Sequence, residues 1–121
     1  ICSILKKNDI RFTKNIGGYG IVAVIEGKKS SSRVIGFRAD MDALPIVEEN
    51  DIDYKSVNHG IMHACGHDVH SSILLGVAII VNKLKENLIG TIKFIFQPAE
   101  EKLPGGASLM IEAGVLKNPD V

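Results

Sequence analysis

The stretch Met62-His63-Ala64-Cys65-Gly66-His67-Asp68-Val69-His70 restricts this chain more than any other, because it gathers three histidines, a thiol and a carboxylate in nine consecutive residues. Packing alone does not concentrate such side chains, since a buried histidine or cysteine normally occurs singly. Imidazole and thiolate are the donors a borderline metal prefers, and Cys65 and His67 flank Gly66, whose backbone can turn tightly around an ion. Directly afterwards Ile73, Val77, Ile80 and Leu84 recur at three- and four-residue steps, with Leu74, Ala78 and Val81 beside them. A helix with a wide apolar stripe is therefore expected from about Asp68 to Lys85. The ligand-type residues then stand at a helix N-terminus, where unpaired backbone N–H groups favour a Cys65 thiolate and the Asp68 carboxylate. Any fold for this chain has to bring further donors to that end.

The remaining segments supply a sheet for the helix to pack on. Ile21 to Ile25 is a continuous, mostly β-branched run that reads as a strand buried on both faces. Arg33 to Ala39 and Thr91 to Phe96 read as two more strands, and Lys28 to Ser32 as a polar, hairpin-like connection between the first two. Ile1 to Lys7 has helical spacing, Ile10 and Phe12 alternate with polar residues as in a short extended piece, and Ala107 to Ala113 is a short helix ended by Gly114. Gly17-Gly18-Tyr19-Gly20 reads as a turn, because it lacks the order of a phosphate-cradling loop and opens a strand. The pattern as a whole is α/β, a mixed β-sheet flanked by helices.

Two acidic pairs are delivered by that sheet. Asp40 and Asp42 follow the second strand, and Glu100-Glu101 follow the third just after Pro98. Side chains at the carboxyl ends of strands face the crevice in which α/β proteins keep their sites. For Asp40 and Asp42 a simple turn-capping role stays open beside a chemical one. Of two adjacent glutamates past a buried strand, one can ligate while its neighbour moves a proton. The acidic run Glu48 to Asp53 reads as solvated loop.

Composition narrows the class of partner. The 121 residues are 45% apolar, enough for one core, and 14 basic side chains balance 14 acidic ones. No net field draws nucleic acid or an anionic membrane, and the longest uncharged apolar run, Ser71 to Asn82, is too short to span a bilayer. Cys2 and Cys65 do not form a disulfide framework, which points to a reducing, cytoplasmic setting; Cys2 reads as a packed core residue. A Cys2–Cys65 disulfide would remove the thiolate that makes the central stretch a metal candidate. The chain opens at Ile1 as if inside a helix and stops at Asn118-Pro119-Asp120-Val121 without an element to close on, so it is read as a piece of a longer polypeptide.

Three blocks, Arg38-Ala39-Asp40-Met41-Asp42-Ala43-Leu44-Pro45, Met62 to Asp68, and Gln97-Pro98-Ala99-Glu100-Glu101, together with the Gly20 to Gly27 strand, resemble the amidohydrolase branch of the M20 metallopeptidases. That branch includes hippurate hydrolases, N-acyl-amino-acid deacetylases and auxin-conjugate hydrolases. The resemblance implies a zinc-peptidase-like catalytic domain of which residues 1–121 are the N-terminal portion, with a lid and dimerisation domain and two further histidine ligands downstream. It implies two divalent metal ions (Zn, Mn or Co), with Cys65, His67 and Glu101 as ligands and Glu100 as the base that takes a proton from the attacking water and passes it to the leaving amine. Asp40 or Asp42 would orient the site, and His63, Asp68 and His70 would support the ligands from behind or cap the helix. The expected substrate is a small N-acyl amino acid, with neither nucleic acid nor membrane as partner and a homo-oligomeric parent. Two alternatives stay open: a truncated, non-catalytic metal-binding fragment or structural module, and a thiol redox function of Cys65.

Overall fold

The computed structural model describes residues 1–118; the expectation for the last residues concerns 119–121 and lies outside them. Helix α1 (Cys2–Lys7) leads into strands β1 (Arg11–Ile16), β2 (Gly20–Glu26) and β3 (Lys29–Asp40), then helix α2 (His67–Lys83), strand β4 (Ile89–Gln97) and helix α3 (Gly106–Glu112). The strands form one sheet in the order β1-β2-β4-β3. Neighbours β1 and β2, and β2 and β4, run antiparallel, whereas β3 and β4 run parallel. The result is the mixed sheet flanked by helices that the sequence pattern indicates.

One connection differs from expectation. Residues 28–32 do not close a hairpin, because β4 lies between β2 and β3. The reason is burial: β4 carries Phe94 and Phe96 fully buried and Ile92 and Ile95 nearly so, and a strand buried on both faces takes a central slot. β3 reaches its place beside β4 through a parallel crossover that contains α2. Nor is β2 equally buried on its two faces. Ile21, Ala23 and Ile25 are in the core, while Val22 and Val24 are half-covered, because α3 shields only one end of that side.

The principal core lies between the sheet and helices α1 and α2, where Leu5, Ile25, Leu74, Leu75, Ala78, Phe94 and Phe96 pack together. The helix turns only part of its expected wide stripe to the sheet, with Val77 and Val81 packed partly buried against the core. Leu74, Leu75 and Ala78 are buried, whereas Ile73, Ile80 and Leu84 are 61%, 59% and 57% exposed. α2 is apolar on nearly every side, so periodicity could not choose the face. The sheet beneath it chose, since Leu74, Leu75 and Ala78 share one core with Ala23, Ala39, Phe94 and Phe96. Among the described residues no helix is long and apolar enough to cross a membrane.

Candidate metal centre

Register decides what meets at the sheet edge. Asp40 at the end of β3 stands beside Gln97 at the end of β4, and the Met41 N–H donates to the Gln97 carbonyl oxygen at 2.9 Å. The two acidic loops therefore leave the sheet side by side, and the N-terminus of α2 arrives above them. Gly66 is the helix N-cap in a left-handed conformation (φ 83°), a turn that an L side chain would strain, and no side chain caps the helix. The alternative that His63, Asp68 or His70 caps the helix is not met.

Cys65 Sγ, a ring nitrogen of His67 and a carboxylate oxygen of Glu101 all lie within 4.8 Å of one another. Donors bound to one ion at roughly 2.0–2.3 Å can stand no more than about 4.6 Å apart, so a small inward movement of the exposed Cys65 and Glu101 brings all three onto one cation. The thiolate, imidazole and carboxylate set suits a borderline divalent metal.

Asp42 ties this group together. Its Oδ2 accepts the Glu101 N–H at 3.1 Å, and its Oδ1 faces His67 Nδ1 at 3.3 Å. That Oδ1 is, among the described residues, the buried side-chain atom without a hydrogen bond of good geometry, so the ring opposite is its available partner. The Asp42 backbone oxygen also lies 3.2 Å from Nδ1. Both contacts call for a proton on Nδ1, which leaves Nε2 as the lone-pair nitrogen, the arrangement of a carboxylate-backed metal histidine. Burial alone would push the Asp42 carboxyl up, but the backbone N–H groups of Glu101 and Glu100, its own N–H and the nearby His67 hold it below its ordinary 3.8.

Asp40 is occupied differently. Its Oδ1 lies 2.7 Å from His70 Nδ1 and 3.7 Å from His67 Nε2, and its Oδ2 pairs with Arg38 at 3.0 Å. Burial raises its pKa, and the His70 hydrogen bond, Arg38 and His67 together outweigh that and lower it below 3.8. Arg38 also donates from Nε to Gln97 Oε1 at 2.8 Å, which locks the ends of β3 and β4. The sequence reading missed Arg38 and Gln97 as parts of this site. The available signal was the i, i+2 spacing of Arg38 and Asp40, which puts both on one face of a strand.

The Glu100-Glu101 loop is held from below. Ala99 adopts φ 50°, a strained choice for a non-glycine residue of order 1 kcal/mol, and its carbonyl oxygen accepts the Gly106 N–H at 2.9 Å. A Cβ on Gly106 would lie 1.8 Å from the Pro98 oxygen, so only glycine lets α3 start this close under the loop. Glu100 is exposed beside the cluster, with its N–H directed to Asp42. His70 reaches the site through Asp40, whereas His63 and Asp68 line a separate crevice with Glu48 and Tyr54 and are not brought to the ligand group.

The charge on Cys65 runs against the helix-dipole expectation. A hydrogen bond to Glu101 pushes the exposed Cys65 thiol's pKa up, and a lesser desolvation effect and the charges of Glu101, Glu100 and Asp40 add to the shift. Neighbouring carboxylates disfavour the thiolate, and a divalent cation is what would reverse that and deprotonate a coordinating thiol. The raised thiol pKa argues against a thiolate redox centre. Both cysteines are free, and Cys2 packs half-buried against the core.

Comparison with known proteins gives a consistent picture. The model for peptidase family M20/M25/M40 matches residues 36–121. An N-acyl-L-amino acid amidohydrolase of Geobacillus stearothermophilus is 55% identical over 89 residues, 74% of this chain and 24% of that protein. Thermostable carboxypeptidase 2 of Saccharolobus solfataricus is 44% identical, covering 99% of this chain and 31% of that protein. Among solved structures, a Bacillus subtilis protein described as a dinuclear metal-binding peptidase of family M20 superposes with a TM-score of 0.89 at 40% identity, over 98% of this chain and 33% of the other. This chain thus spans 24% to 33% of the length of these relatives.

Proposed function

Because the chain belongs to the peptidase family M20/M25/M40, we propose that the intact protein is a metal-dependent hydrolase that cleaves the amide bond of N-acylated amino acids, with Cys65, His67 and Glu101 as metal ligands. Two divalent ions, zinc, manganese or cobalt, would supply Lewis acidity and acidify a water. Asp42 orients His67 and fixes the Glu101 backbone. Glu100, exposed beside them, takes the proton from the attacking water and returns it to the leaving amine. Asp40, held by Arg38 and His70, keeps a carboxylate 3.7 Å from His67 Nε2 and adds negative charge at the centre.

The observation that carries this proposal is the meeting of a thiol, an imidazole and a carboxylate within 4.8 Å, from segments far apart in sequence. The names of the relatives support the reaction class. A C-terminal peptide bond is itself the amide of an N-acylated amino acid, so amidohydrolase and carboxypeptidase relatives fit one chemistry. Three donors are fewer than two ions require, and the remaining ligands, with a lid and dimerisation domain, would come from further along the intact protein. The 121-residue chain alone is then expected to bind metal weakly and turn over little. A small-molecule partner, a homo-oligomeric parent and a cytoplasmic setting complete the proposal, in keeping with the balanced charge.

The test is metal analysis of the purified intact protein, paired with amino-acid release from hippurate and N-acetyl amino acids before and after chelation. Activity should vanish with the metal and return with zinc, manganese or cobalt. Glu100→Gln should keep the metal and lose about 10²–10⁴-fold in kcat. Full turnover by the metal-free protein, or by Glu100→Gln, would overturn the assignment.

A further inference from the structure

A guanidinium stands beside the candidate centre, where its charge opposes the binding of a cation. Arg38 Nη1 pairs with Asp40 Oδ2 at 3.0 Å, and Asp40 Oδ1 lies 3.7 Å from His67 Nε2, so a single carboxylate separates Arg38 from a ligand nitrogen. On charge alone the residue is a handicap. Its geometry is specific, however, because the same guanidinium donates from Nε to Gln97 Oε1 at 2.8 Å. Asp40 follows Arg38 by two residues on β3 and stands opposite Gln97 on β4, which puts all three on one face of the sheet. Asp40 and Gln97 are buried, whereas the Arg38 side chain is 45% exposed. Arg38 thus reaches in from the rim to two buried acceptors.

Each acceptor stands at the root of an acidic loop: Asp40 leads to Asp42, and Gln97 leads to Glu100 and Glu101. The carboxylate torsion of an aspartate is broad, so its contacts decide which oxygen faces which neighbour. Arg38 takes Oδ2, which leaves Oδ1 for His70 Nδ1 at 2.7 Å and for the side of His67. We propose that Arg38 is a positioning residue, which fixes Asp40 and the root of the Glu100-Glu101 loop together so that the centre is shaped before a metal arrives. This rests on the metal-hydrolase proposal above. A planar guanidinium spans two acceptors in fixed directions, and the point charge of a lysine ammonium does not. Shape and charge therefore predict opposite results when Arg38 is replaced.

The experiment measures zinc affinity by chelator competition on the intact protein, on Arg38→Lys and on Arg38→Gln. Both variants should bind zinc about tenfold more weakly. Charge alone predicts unchanged binding by Arg38→Lys and tighter binding by Arg38→Gln, and either result would overturn the proposal. Gln97→Met, which removes the acceptor at similar size, should weaken zinc binding by a similar factor. Combined with Arg38→Lys it should add little, as members of one unit do, and a full product of the two losses would overturn the shared clamp. Urea midpoints of the metal-free Arg38 variants should stay near that of the unaltered protein, and a fall matching the loss of zinc affinity would assign Arg38 to general stability instead. At saturating zinc, Arg38→Lys should lower kcat on hippurate about tenfold with KM within about twofold. A raised KM with kcat unchanged would make Arg38 a substrate contact and overturn the positioning role. Zinc binding that Cys65→Ser leaves untouched would overturn the metal centre itself, whatever the Arg38 variants do.

Discussion

Replacing Asp42 by asparagine should weaken metal binding more than its distance from the metal would indicate. The carboxylate spans two ligands, facing His67 Nδ1 at 3.3 Å with one oxygen and accepting the Glu101 N–H at 3.1 Å with the other. Asparagine keeps the shape but offers one acceptor, so its NH₂ must oppose either a protonated ring nitrogen or a backbone N–H. Depending on which way the amide turns, either the hydrogen bond from the Glu101 N–H, about 1.5–3 kcal/mol, or the attractive contact with His67 Nδ1 is lost. Loss of a carboxylate behind a metal histidine typically costs about 10–100-fold in metal affinity. At about 1.4 kcal/mol per factor of ten, that range is about 1.4–2.8 kcal/mol, in agreement with the hydrogen-bond figure. Zinc competition against a chromophoric chelator, run on the intact protein and on Asp42→Asn, measures it directly. An affinity within about twofold of the unaltered protein would refute the role given to Asp42.

Acid should loosen the site with a definite sign. Asp40 and Asp42 titrate below 3.8 in the folded chain, so each contributes stability in full above that value and loses it as pH falls through the lower folded value. Urea midpoints should be level down to about pH 5 and drop below about pH 4, with Asp40→Asn flattening the drop; midpoints that rise on acidification would contradict this. Gly106→Ala should destabilise by about 1–3 kcal/mol, because its methyl would sit 1.8 Å from the Pro98 oxygen, and an unchanged thermal midpoint would count against the tight seat of α3. In this 121-residue chain Leu75→Ala should cost about 2–5 kcal/mol while Ile80→Ala costs under about 0.5, and equal costs would mean that the helix buries a different face.

Local chemistry was legible in the sequence wherever a residue's neighbours along the chain decide its state. The runs that became β2, β3 and β4 are β-branched and bounded by turn residues, and Pro98 stops β4 where expected. Cys65 and His67 stood out as candidate donors by their chemistry, whereas the choice of Glu101 over Glu100 as the third came only from the family resemblance. What depended on partners distant in sequence was not legible. The placing of β4 between β2 and β3 follows from competition for the buried slot, and no spacing within residues 28–32 records it. The buried face of α2 was set by the sheet, since Ile73 and Leu74 are equally apolar and only the core that Leu74 shares with Ala23, Ala39 and their neighbours separates them. The different duties of Asp40 and Asp42 likewise emerge only when Arg38, His70 and the Glu101 N–H are in place.

Whether Cys65 shares a cation with His67 and Glu101 is tested most directly by X-ray absorption at the zinc edge of the zinc-loaded intact protein. A sulfur scatterer at about 2.3 Å is predicted, and it should disappear in Cys65→Ser while nitrogen and oxygen scatterers near 2.0–2.1 Å persist. A shell of nitrogen and oxygen alone in the unaltered protein would contradict the proposed centre.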